Sequence, residues 1–193
     1  AVDHQLAGIE KQPVVAGRLA TLGKGLAEKP ELRLDVPIGA LAEVDGPALA
    51  ARAYDAALAG AVAARFGGKD GGAAPAFDSL EPGQKIEVLT ALLTARTGVA
   101  PQVPEPPAPP EGTSRSEAKV MAEAAALDHL EQAARSAITV AETDFTRLGE
   151  ERALAIERAL LADTGLEPTR VFKVRDGKVA ANEGKVRFEL GLK

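Results

Sequence analysis

Apolar positions recur along this chain with two different periods, and the switches between them mark out its elements. The clearest passage is residues 144–174, DFTRLGEERALAIERALLADTGLEPTRVFKV. Asp144 reads as a helix N-cap, and Glu150 and Glu151 come early enough to favour the positive end of the helix dipole. Phe145, Leu148, Ile156, Ala159 and Leu160 supply the apolar stripe. Gly165 offers the left-handed conformation that closes a helix, Pro168 prevents resumption, and Val171-Phe172-Lys173-Val174 reads as a short buried strand.

Upstream, Leu6, Ile9, Val14, Val15, Leu19, Leu22 and Leu26 fall at roughly helical spacing over residues 2–29, with Pro13 in the first turn of a second helix after a short break. Leu32 to Ile38 alternates apolar with polar, which predicts a strand with one face on a core, and Pro37 places a strand end or a sheet edge there. Residues 39–47 read as a connection and the Ala-rich residues 48–66 as a helix. Two further helices follow at 80–98, starting after Pro82, and at 116–137, where Ser116 is the candidate N-cap; residues 138–143 break the pattern. Residues 175–184 read as a polar connection. The chain then ends on an alternating strand, 185–193, with Val186, Phe188, Leu190 and Leu192 on one face.

This order predicts an α+β fold: one domain over residues 1–193, a small sheet with helices packed on one face, and a mostly helical insertion over about 39–143. Two stretches inside the insertion cannot be core. GGKDGGAAP at 67–75 is a flexible linker by composition. PQVPEPPAPP at 101–110 favours an extended polyproline form, either a surface spacer or a ligand for a proline-binding module.

Composition narrows the function. Of 193 residues, 46% are hydrophobic and 26% charged, enough to bury a core. A formal net charge of −5 with no stripe of Lys and Arg argues against nucleic acid, and the aromatic content of 3% leaves few rings for stacking on bases or sugars. Cysteine is absent, which removes thiolate chemistry without fixing the compartment. No apolar run is long enough to span a bilayer and no signal peptide is present. Because the chain opens on Ala1 and enters a helical pattern almost at once, it reads as a fragment of a longer exported or membrane-anchored protein.

Catalytic motifs are missing. His4 and His129 are the only histidines, and neither has metal-ligand spacing with a second donor. No nucleophile elbow, phosphate loop or dinucleotide fingerprint occurs, so the expectation is a non-enzyme without metal or cofactor. The glycine cluster at 67–72 follows a helix rather than a strand and lacks the Lys-Ser/Thr ending of a phosphate loop. One residue stands out. Arg152 lies four residues from both Leu148 and Ile156, on the apolar stripe, where a guanidinium needs an acidic partner. Either an internal carboxylate meets it, or its fork receives the carboxylate of a ligand.

The segments GRLATLGKGLAEKPELRLDVPI (17–38), the passage at 144–174 and GKVRFELGLK (184–193) together resemble the OmpA-like C-terminal domain carrying a long insertion. Leu148-Gly149-Glu150-Glu151-Arg152-Ala153 matches that family's Leu-x-x-x-Arg-Ala phrase, and Gly165 to Arg170 its Gly-x-x-x-x-Arg turn. Through its Lys-Pro-x-Leu-x-Leu opening, the segment LEQAARSAITVAETDFTRLGEERALAIERAL and the Arg-Val-Phe strand, the chain is also similar to the C-terminal region of large AsmA-like bacterial envelope proteins. The resemblance implies a periplasmic accessory or interaction domain of a Gram-negative envelope protein, tied to outer-membrane homeostasis or lipid transport, with an envelope protein as partner. OmpA-like domains hold peptidoglycan through an Asp after the first strand and the Arg that matches Arg152. Here Ile38-Gly39-Ala40-Leu41 replaces the family's Gly-x-Thr-Asp phrase. Asp45 and Asp35 are the acids left to join Arg152, and peptidoglycan binding is the alternative function.

Overall fold

The computed structural model describes residues 13–67, 73–106 and 108–193. The helical pattern expected before Pro13, His4 with it, and the centre of the 67–75 linker lie outside the described residues. In chain order the elements are α1 (Pro13–Ala27), β1 (Leu34–Pro37), α2 (Ala42–Phe66), α3 (Pro82–Thr97), α4 (Arg115–Ser136), α5 (Glu142–Leu161), β2 (Val171–Val174), β3 (Val179–Asn182), β4 (Lys185–Phe188) and β5 (Gly191–Leu192). Short 3-10 turns occupy Phe77–Ser79 and Pro168–Arg170. The fold is α+β. Among the described residues no helix is long and apolar enough to cross a membrane.

The chain divides into two compact units: one from the segments up to Pro47 and from Ala141 onward, the other from Ala48–Val140. In the first, a three-stranded sheet has the order β2-β1-β5, with β1 parallel to β2 and antiparallel to β5. Parallel neighbours need a crossover connection, and the crossover that leads into β2 ends with α5. Leu34 and Val36, two apart on β1, turn to one face and are buried at 1% and 0% exposure. There they join Leu19 and Leu26 of α1, Ala153, Ile156 and Leu160 of α5, and Val171 of β2 in one apolar cluster. Pro37 ends the central strand, where its missing N–H is needed least; the next residue, Ile38, resumes the ladder by donating to the Val174 carbonyl.

The second unit is helical. Tyr54 of α2, Leu89, Leu92 and Leu93 of α3, and Leu130 and Ala134 of α4 share a cluster, and Val62, Leu80 and Val88 share another. α3 starts at Pro82 with Glu81 as N-cap and stops at Gly98, whose φ of 76° supplies the left-handed cap. Residues 101–106 and 108–110 have no regular structure and lie mostly exposed.

Several elements depart from the periodicity reading. α2 begins at Ala42, not 48, because Glu43 and Asp45 give it an acidic first turn; Pro47 lies inside the helix and removes one backbone bond. α4 is capped by Ser114, not Ser116: the Ser114 hydroxyl accepts from the Glu117 N–H while the Glu117 carboxylate accepts from the Ser114 N–H. α5 starts two residues before Asp144, whose carboxylate instead reaches back to the Ala141 N–H. It also stops at Leu161, before Gly165, where the Ala162 N–H closes the last turn on Arg158. Of β2 only Val171 is buried, and Phe172 is 41% exposed. The expected polar connection and single terminal strand are a hairpin, β3–β4, followed by the separate strand β5. Its two-residue turn is Glu183-Gly184, both at positive φ, 50° and 71°, the conformation that suits tight hairpins.

Candidate functional site

Asp45 sits in the first turn of α2, where its Oδ2 accepts the Leu41 N–H at 2.8 Å and so satisfies one of the free donors of the helix start. Arg152 comes from the middle of α5. Its Nη1 donates to Asp45 Oδ2 at 2.7 Å and its Nη2 to Oδ1 at 2.6 Å, a bidentate fork between planar groups. The Asp45 side chain is 3% exposed and that of Arg152 15%. A carboxylate this far from water needs such a partner, and the Leu41 N–H adds a third donor.

Backbone contact brings the two elements together. A Cβ at position 149 would stand 2.8 Å from the Gly39 nitrogen, so only glycine lets α5 approach the chain leaving β1 this closely. Ile38, Gly39, Ala40, Phe145, Thr146 and Gly149 line a cleft of about 220 Å³ here. Arg175, at its rim, is paired with Glu150 at 3.0 Å.

A second arginine has a comparable role that periodicity did not assign. Arg170, from the 3-10 turn before β2, donates through Nε to the Leu32 carbonyl at 3.0 Å and through Nη2 to those of Leu26, Lys29 and Leu32. It thereby satisfies carbonyls at and beyond the end of α1. The hint in sequence was the Gly-x-x-x-x-Arg phrase; nothing local identified the carbonyls.

The three acid and base candidates separate. Asp45 and Arg152 meet, whereas Asp35 is salt-bridged to Lys193. The Asp35 side chain and its neighbour Asp176 hold the Lys193 ammonium above the usual lysine range, the hydrogen bond to Asp35 contributing most. His129 belongs to no cluster: among the described residues no group of three or more His, Cys, Asp or Glu could hold a metal ion.

Among the described residues one buried side-chain polar atom is unsatisfied. The Tyr54 hydroxyl has no hydrogen-bond partner, although the residue is 3% exposed and the Arg135 guanidinium lies 4.1 Å from its ring centroid. Burial pushes the phenol above its ordinary value; Glu131 and Asp55 add to this, against Arg135.

Chemically, the Arg152–Asp45 pair uses both carboxylate oxygens and two of the five guanidinium N–H groups. The Nη1–Nη2 edge of the guanidinium is thus occupied by a carboxylate of the same unit. Compared with protein-family models, with curated proteins and with solved structures, the chain matches none.

Proposed function

We propose that this chain is a non-enzymatic module of a bacterial cell envelope: the periplasmic C-terminal accessory or interaction domain of an AsmA-like protein, built on an OmpA-like core. The observation that carries the reading is where the arginines of the two resembling phrases act. Arg152, in one, joins α5 to Asp45; Arg170, ending the other, joins the β2 approach to the end of α1. Each links a segment before Ala48–Val140 to one after it, across 107 residues for Arg152 and 144 for the Leu26 contact of Arg170. Those phrases therefore encode closure of a split core. That closure leaves neither arginine of the two phrases without a partner, which supports a packing role for them.

Peptidoglycan anchoring is the second reading, and it has an observation of its own. Asp45, which stands in loosely for the family's Asp, does meet Arg152. Against it, both oxygens of Asp45 are already held by Arg152, so a ligand carboxylate meeting the same Nη1–Nη2 edge would have to displace Asp45 from a buried bidentate pair and leave an unpaired buried charge.

Purified sacculi separate the two readings. The chain is expected to stay in the supernatant after sedimentation with them. Retention that Arg152→Lys abolishes, with circular dichroism unchanged, would replace the accessory reading with the anchor. For the envelope itself, an epitope-tagged version of the natural protein is expected to become protease-sensitive only after the outer membrane is permeabilised. Sensitivity seen only after cell lysis would remove the periplasmic assignment.

A further inference from the structure

The hairpin β3–β4 is a two-stranded sheet by itself, an arrangement that is marginal in water without a third strand or a covering layer. Its base is held: Val179 packs against Gly39, and Phe188 borders the core of the first unit. Its outer half is not, since Ala180 to Lys185 are all exposed.

The register fixes which backbone groups look outward. A two-residue turn makes Asn182 and Lys185 a hydrogen-bonded pair, and with the alternation of an antiparallel ladder Ala180 and Arg187 are the next. The Glu189 N–H donating to the Lys178 carbonyl continues the same alternation. The N–H and C=O groups of Val186 and Phe188 therefore point away from β3, and among the described residues they have no backbone partner.

Charge is distributed unevenly around this edge. Residues 170–193 contain seven Lys and Arg against three Asp and Glu, a surplus of four positive charges in a chain of net −5. Five of the seven are engaged: Arg170 with carbonyls, and Lys173, Arg175, Lys178 and Lys193 with Glu157, Glu150, Glu189 and Asp35. Lys185 and Arg187 have no anionic partner among the described residues, and both lie exposed on one face of β4. Val186 and Phe188, half-buried, occupy the other face.

We infer that the β4 edge accepts an extended peptide strand in which acidic and apolar residues alternate. Strand addition would give the hairpin its third strand and pair the outward groups of Val186 and Phe188. In that register Lys185 and Arg187 face the incoming residues in non-hydrogen-bonded pairs, where opposing side chains come closest. Carboxylates two residues apart meet the two free cations, and the intervening apolar residues continue the Val186 and Phe188 face. Lysine on a sheet edge can also serve to repel strands, but here the repulsion applies to basic strands, a neutral strand leaves both cations unpaired, and acidic ones are selected. This edge is separate from the Arg152–Asp45 pair and does not depend on the envelope assignment.

The test uses the full chain and fluorescein-labelled synthetic peptides alternating Glu with Val, followed by anisotropy and by amide hydrogen exchange. The alternating peptide is expected to bind and to slow exchange at the Val186 and Phe188 amides. A scrambled peptide of equal composition, and one N-methylated at alternate residues, are expected to bind at least about tenfold more weakly, because the first breaks the alternation and the second removes the ladder, each keeping the charge. Lys185→Glu with Arg187→Glu should weaken binding about tenfold, the combined effect of two cross-strand ion pairs, and transfer preference to a Lys-Val peptide. No binding, or equal binding of the N-methylated peptide, overturns the inference. So does binding of the chain to phosphatidylglycerol vesicles that blocks these amides while the peptide leaves them unchanged.

Discussion

At the scale of single residues, the energetics turn on what a buried group does when its partner is removed. Arg152→Ala would leave the Asp45 carboxylate 3% exposed with the Leu41 N–H as its remaining donor. The expected cost in urea denaturation is about 3–5 kcal/mol, the range for breaking a buried pair from one side. Combining Arg152→Met with Asp45→Asn removes both charges and keeps an acceptor for Leu41, so it should cost less than Arg152→Met alone. A cost below about 1 kcal/mol for Arg152→Ala would class the pair with ordinary surface bridges. Tyr54 presents the opposite case, because its hydroxyl is buried without a partner. Tyr54→Phe is expected to be neutral or stabilising by about 1 kcal/mol, since it removes an unsatisfied group. The raised phenol also sets a pH dependence. The unfolded chain releases its proton near pH 10 while the folded chain still holds it, so stability present below that pH falls as pH rises through the folded value. In Tyr54→Phe that part of the alkaline decline should be missing from denaturation curves taken between about pH 9 and 11.

At the scale of elements, the sequence revealed helices more fully than it revealed their ends. The stripe Leu148, Ile156, Leu160 places α5 on the core because period and burial agree over about three and a half turns. The caps were decided by chemistry that periodicity does not weigh. Ser114 and Ser116 both precede the apolar pattern, and only Ser114 has a glutamate three residues on to return its bond. Ser114→Ala should accordingly cost about 1 kcal/mol while Ser116→Ala stays within a few tenths, measured by thermal unfolding. The hairpin was hidden because β3 contributes Ala180, Ala181 and Asn182, which have low strand propensity; only a partner strand makes them extended. Arg152 was legible as a residue in need of an acid, but the choice between Asp35 and Asp45 was not, since it depends on contacts 107 residues away in sequence. Gly149 did leave a trace, a glycine inside a strong helical pattern. Gly149→Ala is expected to destabilise by about 1–3 kcal/mol, because the added methyl meets the Gly39 backbone, which has no flexible end to move. A neutral Gly149→Ala would mean that α5 and the chain after β1 are not in this close contact.

At the scale of the whole molecule, the two units differ in how their contacts are spaced along the chain. The second is one continuous segment, Ala48–Val140, whereas the first assembles from pieces on either side of it. Its central sheet pairs Leu34 with Val171, so its core closes only after a long loop has been brought together, and loop closure precedes the contacts that reward it. The second unit should therefore fold first. In refolding from urea followed by pulsed hydrogen exchange, amides of Leu89 and Leu92 are expected to gain protection before those of Leu34 and Val36. Each unit also has its own cluster, so a substitution in one should act on that one. Ile156→Val, costing about 0.5–1.5 kcal/mol, should speed exchange at Leu34 and Val36 and leave Leu89 unchanged; Leu130→Ala, costing about 2–5 kcal/mol, should do the reverse. Simultaneous protection of both sets, with either substitution shifting both equally, would show a single cooperative block. The split core would then be held by the excursion as much as by Arg152 and Arg170.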